Sequence, residues 1–160
     1  MDLARPPLPG VRVCGGRGAG GEGSGCAILD APMQPPEPLR PQLFETLRDL
    51  AREGPVEVTV RGSCMAPQVA DGERVRVAAA RFCWPGDLVA FQAGDGRLRL
   101  HRVLGYRPWK GGIALITRGD GCPCHDGPVP LGRVLGRVAG PVRLADRLRA
   151  GLAALRLVLR

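Results

Sequence analysis

The chain has little of what several function classes need. Lysine occurs once, at Lys110; every other member of the 23 basic residues is arginine. A mechanism that needs a lysine base therefore has one candidate, and it lies in a polar, turn-like stretch. Histidine occurs only at His101 and His125. Aromatics make up 4% of the residues, so the core must be built from Val, Leu and Ala. No basic motif interleaved with aromatics is present, and nucleic acid is not expected as a partner. No apolar run approaches the ~20 residues of a spanning helix. Pro and Gly interrupt the N-terminal apolar stretches, which leaves no signal-peptide h-region. The expectation is a cytoplasmic chain, attached at most to a membrane surface. The 6 cysteines lack the two well-spaced pairs of a zinc site. Cys122-Pro-Cys124-His125 is the one cluster, so no metal and no cofactor is expected, and the spacings do not suggest a disulfide framework.

What is abundant is glycine (24), proline (16) and positive charge (+8). The charge reads as compositional bias toward arginine. The Gly and Pro residues are concentrated unevenly, which divides the chain. Residues 1–40 have no hydrophobic period and read as a disordered extension, or as an over-extended reading frame if Met33 is the start. Over 41–54, Leu43, Phe44, Leu47 and Leu50 recur at helical spacing until Gly54-Pro55 ends the run. Residues 141–160 place Leu144, Leu148, Leu152, Leu155 and Leu159 among five arginines, a basic amphipathic helix. It is expected to pack on the domain or a subunit, with contact to a membrane surface as the alternative.

Residues 55–140 between these helices read as β structure. Val56, Val58 and Val60 alternate with polar neighbours, as do Arg74 to Val77 and Arg97 to Leu100. Leu88 to Phe91 and Ile113 to Ile116 are short apolar runs, and Val134 to Val138 reads as a closing strand. Turn signals such as Asp71-Gly72, Pro85-Gly86-Asp87 and Gly111-Gly112 separate them. The pattern predicts a mainly β domain, a barrel or sandwich, with short flanking helices.

Five boxes from Val56 to Val138 carry a resemblance. Gly62-Ser63-Cys64-Met65-Ala66-Pro67 resembles the G-x-S-M-x-P box of signal peptidase I-like and SOS-repressor-like serine peptidases, with Cys64 where the nucleophilic serine stands. Asp71-Gly72-Glu73-Arg74-Val75 and Pro85-Gly86-Asp87-Leu88-Val89 are similar to that superfamily's D-G-D-x-V and P-G-D-x-V turns. Leu100-His101-Arg102-Val103 resembles the H-R-[VI] motif of the archaeal and endoplasmic-reticulum branch, in which histidine replaces the lysine base. Thr117-Arg118-Gly119-Asp120, followed by Asp126, resembles that branch's T-K-G-D box and second aspartate. Gly121-Cys122 stands where the branch has asparagines.

The resemblance implies the complex β-barrel fold of the superfamily and an endopeptidase working through an acyl-enzyme on a peptide or protein substrate. It makes Cys64 the nucleophile, His101 the base, Asp126 the residue that orients His101, and Asp120 the more structural carboxylate. The chemistry supports this grouping. A thiol needs an adjacent base, and a histidine base needs a carboxylate to fix its tautomer. Backbone N–H groups around Cys64 would form the oxyanion hole. Ser63, Met65 and Pro67 flank the nucleophile as candidate substrate contacts. Met65 could equally pack in the core, and Ser63 could serve as nucleophile after a one-residue shift. The competing reading is a non-catalytic peptide-binding module on the same fold. The oligomeric state is left open.

Overall fold

The computed structural model describes residues 12–14, 38–140, 148 and 150–152. The amphipathic segment after Arg40 forms helix α1 (Pro41–Glu53), opened by a proline at its first turn and closed by the Gly54 N–H on the Leu50 carbonyl. Its apolar stripe buries Phe44, Leu47 and Ala51, while Leu43 stays on the exposed side.

Eight strands follow the order β1-β2-β3-β8-β4-β5-β6-β7. They are β1 (Arg12–Cys14), β2 (Val56–Arg61), β3 (Arg74–Ala78), β4 (Leu88–Gln92), β5 (Leu98–Trp109), β6 (Gly112–Arg118), β7 (Val129–Pro130) and β8 (Val134–Val138). All pairings among β2–β8 are antiparallel. β1 runs parallel to β2 and meets β5 at the single pair Cys14–Arg99. It lies inside the segment expected to lack order; the remainder of that segment, through residue 37, is outside the described residues.

The barrel expectation is corrected. The antiparallel sheet β2–β8 is not a closed barrel, and β1, parallel to β2, touches β5 at one pair alone. The first half of β5, Leu98 to Arg102, pairs with β4, whereas Arg102 to Trp109 pairs with β6. A register shift between Val103 and Gly105 follows the change of partner. The outer half of β5 therefore pairs with β6 as a hairpin that extends past β4. Lys110 and Gly111, at φ 44 and 77, form its two-residue turn, the geometry that favours two successive positive φ angles.

The side chains of β4 alternate between two apolar clusters. Ala90 joins the valines of β2 and β3, the helix face of α1, Met65, Leu98, Leu100 and Leu135. Val89 and Phe91 join Cys83, Val103, Leu115 and Val129 on the other side. Apart from Phe91 and Met65, the largest fully buried apolar side chains are leucines and valines, as the scarcity of aromatics requires.

Of the C-terminal segment, positions 148 and 150–152 are helical. Ala150 is buried there and Leu148 and Leu152 are exposed, the reverse of the side expected to pack. The other residues of 141–160 lie outside the described residues. Among the described residues no helix is long and apolar enough to cross a membrane.

β8 crosses β3 closely at Gly136. A Cβ there would lie 2.3 Å from the Ala78 carbonyl oxygen and 2.7 Å from its carbon, both backbone atoms that cannot swing aside. Gly136→Ala is expected to lower stability by about 1–3 kcal/mol, the scale of an overpacked core. Urea unfolding of the two proteins checks this; an unchanged midpoint would mean the two strands separate at no cost.

Candidate active site

β2 delivers its last residue, Arg61, into the Gly62–Pro67 box, whose loop is held by short backbone and side-chain bonds. Asp71 Oδ1 accepts the Gly62 N–H at 2.8 Å, and the Ser63 carbonyl accepts the Ala66 N–H at 2.9 Å. Two of the backbone donors around Cys64 are thus already engaged. Met65 turns inward and is buried in the core, the alternative to a substrate contact that its sequence position left open. The sequence placed it beside the nucleophile, but one residue further along this turn the side chain reverses direction. Ser63 and Pro67 are exposed, and Cys64 is half-buried.

His101 sits in the middle of β5, one residue before the strand changes partner, and is 1% exposed. Its Nδ1 is 2.6 Å from Asp126 Oδ2. A carboxylate can only accept, so Nδ1 carries the proton and Nε2 is left with its lone pair, the form of a base. Nε2 is buried and meets no hydrogen-bond partner among the described residues. Phe91 lies edge-on to the ring, with centroids 5.9 Å apart.

Asp126 is itself held. Thr117, at the end of β6, donates its hydroxyl to Asp126 Oδ2 at 2.7 Å, and its carbonyl accepts the Asp126 N–H at 2.8 Å. Arg99 lies 4.0 Å from the other carboxylate oxygen. Buried Thr117 had been quoted only as the first letter of a motif, and its bond to the carboxylate depends on a loop that returns nine residues later.

Asp120 points elsewhere. It accepts from Nε of the buried Arg102 at 2.7 Å and from an Nη at 2.6 Å, a two-pronged pair. The same guanidinium donates to the Gly86 carbonyl at 2.7 Å and to the Gln68 side chain. Asp120 therefore ties loops together through Arg102.

A second thiol reaches the site that the sequence did not place there. The Gly121 N–H donates to the Cys64 carbonyl at 2.8 Å, so the loop after β6 folds over the Cys64 box. Gly119 makes the close approach possible. A Cβ on it would lie 3.0 Å from the Cys64 carbonyl oxygen, 3.1 Å from Cys64 Cβ and 3.0 Å from Cys122 Sγ. Cys122 is hydrogen-bonded to Cys64, and that bond pulls its thiol from 9.0 down to about 6, opposed by burial and by Asp126 and aided by His101 and Arg118. The only sequence signal for it was its place between Asp120 and Asp126. Cys83 has the opposite environment: burial first, then the charge of Asp87, push its thiol up to about 11, with Arg137 opposing.

His125 is on the exposed rim, its Nδ1 2.8 Å from the Asp126 carbonyl. Lys110 is at the distant hairpin tip, over the Trp109 ring. Among the described residues no group of three or more His, Cys, Asp and Glu side chains is arranged to hold a metal ion. A cavity of about 700 Å³ lies away from this cluster, between α1 and the segment after β3; Arg48, Arg52, Arg81, Phe82 and Tyr106 are among its lining residues. Compared with family models, with curated proteins and with solved structures, the chain matches none.

Because Cys122 loses its proton near 6 when folded, against 9.0 for a free thiol, its contribution to stability is complete above pH 9.0 and fades as the pH falls through about 6. Under reducing conditions the urea midpoint is expected to rise between these limits, less so in Cys122→Ser. Thiolate absorbance should show a first step near pH 6 belonging to the Cys64–Cys122 pair, while Cys83 stays protonated up to about 11. A first thiol step at the ordinary value would overturn this assignment.

Proposed function

We propose that this chain is a peptidase of the signal peptidase I-like and SOS-repressor-like type, with a cysteine nucleophile, acting as an endopeptidase on an extended peptide or protein segment. The observation that carries the reading is the buried His101–Asp126 pair. Asp126 holds the proton on Nδ1, Thr117 holds Asp126, and Nε2 is buried without a hydrogen-bond partner among the described residues.

The reaction would run in two halves. His101 Nε2 takes the thiol proton as Cys64 Sγ attacks the scissile carbonyl, with Asp126 stabilising the imidazolium that forms. The proton then passes to the leaving amine as the C–N bond breaks, leaving a thioester on Cys64. Water, deprotonated by the same nitrogen, attacks that thioester, and the acid product and the thiol separate. The half-buried thiol and exposed Ser63 and Pro67 leave the nucleophile open on one side to an extended chain. The order of the five boxes supports the superfamily assignment, and the antiparallel sheet replaces the barrel in that description.

One observation favours a second reading, a peptide-binding module without turnover: His101 Nε2 meets no hydrogen-bond partner among the described residues, while the Cys122 thiol is hydrogen-bonded to Cys64. Alkylation separates the two. With reduced protein and iodoacetamide, residue-resolved by peptide mapping, Cys64 of a peptidase labels rapidly below about pH 7 and slows at least about tenfold in His101→Ala. Acyl transfer from an activated ester to Cys64 is expected to fall about 10²–10⁴-fold in the same variant. Slow labelling indifferent to His101, with no thioester formed, would reduce the protein to the binding module.

A further inference from the structure

We propose that Cys64 and Cys122 form a redox-active dithiol site that a hydroperoxide converts to an intramolecular disulfide. The inference goes beyond the hydrolytic reading and does not depend on it, because it needs only the two sulfurs and their setting.

Three observations converge on this pair. The two side chains are hydrogen-bonded to one another. Both close on the same point beside Gly119, where an added Cβ would be 3.1 Å from Cys64 Cβ and 3.0 Å from Cys122 Sγ. The two chain segments are fastened at that place by the Gly121 N–H on the Cys64 carbonyl at 2.8 Å, and the Cys122 N–H on the Gly119 carbonyl at 3.0 Å closes the turn that carries Cys122. A disulfide asks for side chains that already face each other across a short gap, since it tolerates little distortion. Both thiols are half-buried, hence reachable by a small oxidant, and neither is in a disulfide. Cys83 is excluded by burial in the second apolar cluster.

The electrostatics suit the chemistry. Cys122 is drawn toward its thiolate, the form that attacks peroxides, with Arg118 and His101 on hand to stabilise the charge. Its sulfur attacks one oxygen of the hydroperoxide; an S–O bond forms, the O–O bond breaks, and the alcohol or water leaves with a proton. Cys64 sulfur then attacks the sulfenic sulfur of Cys122. The S–S bond forms, the S–O bond breaks, and water departs with the Cys64 proton. Two electrons pass from the two thiols to the peroxide. The product withdraws Cys64 from any acyl transfer until a dithiol reductant restores it by exchange.

The test treats the full reduced chain with one equivalent of hydrogen peroxide, blocks remaining thiols, and maps peptides by mass spectrometry without reduction. The expected product is a linked pair of peptides carrying Cys64 and Cys122, lighter by two hydrogens, abolished by dithiothreitol and still formed in Cys124→Ser. Both thiols recovered fully alkylated, a bond from Cys122 to Cys124, a bond between two chains, or sulfinic acid on either residue without linkage would each overturn it. The outcome is separable from the hydrolytic reading. A thioester on reduced Cys64 with no disulfide after peroxide removes the redox site alone, and a disulfide without any thioester leaves it standing.

Discussion

The buried guanidinium of Arg102 is the interaction on which the arrangement of this molecule depends. A charge taken out of water costs several kcal/mol unless it is fully paired, and breaking such a pair leaves the other member uncompensated, at about 3–5 kcal/mol. Arg102 meets that demand from three directions at once: Asp120 after β6, Gly86 before β4 and Gln68 beyond the Cys64 box. Those three loops must therefore come together for the strand to be buried at all. The flat, forked head of arginine can serve all three, whereas an ammonium group presents no comparable geometry. Neighbouring His101 takes its place as a result. The residue that fixes the loops and the residue offered as a base are adjacent on one strand, so they project to opposite sides of it.

The thiols show how much surroundings matter when the residue type is constant. Cys83 is sealed among apolar side chains near the carboxylate of Asp87, which disfavours a second negative charge. Cys122 shares a proton with another sulfur and faces Arg118 and His101. One is held inert and the other is held ready to ionise. Cys83 also sits beneath a small aromatic group in which Phe82 stacks on Tyr106 and Trp84 meets Phe82 edge-on. The Tyr106 hydroxyl donates to the Cys83 carbonyl, so the inert thiol is locked at its backbone as well.

Much of the secondary structure could be read directly. β2 and β3 alternate, and alternation survives wherever one face of a strand is buried and the other is not. β5 was read too short because Leu98 through Leu104 are all buried, so no polar period marks its course through His101. β7 has two residues, too few to carry a pattern. The association of His101 with Asp126 was expected from motif order, and the two side chains are in contact. The choice between core and groove for Met65, and the approach of Cys122, were not legible. Both lie in loops, where no repeat fixes direction, and both depend on contacts between segments far apart in the chain. The exposed Leu148 and Leu152 make the same point for helices: a stripe of leucines shows that a face is apolar, not that anything covers it.

The change of partner along β5 also sorts the protein into a part that must keep its length and a part that need not. Between Pro108 and Ile113 the two arms of the hairpin pair with each other around the Lys110–Gly111 turn. Residues added or removed there two at a time, one on each arm, would preserve the side each remaining side chain faces. The same insertion before Arg102 would shift His101 against its loops. The tip of this ribbon is thus the natural place for the chain to accept a graft, an epitope or a fluorescent reporter while the thiol site goes on undisturbed.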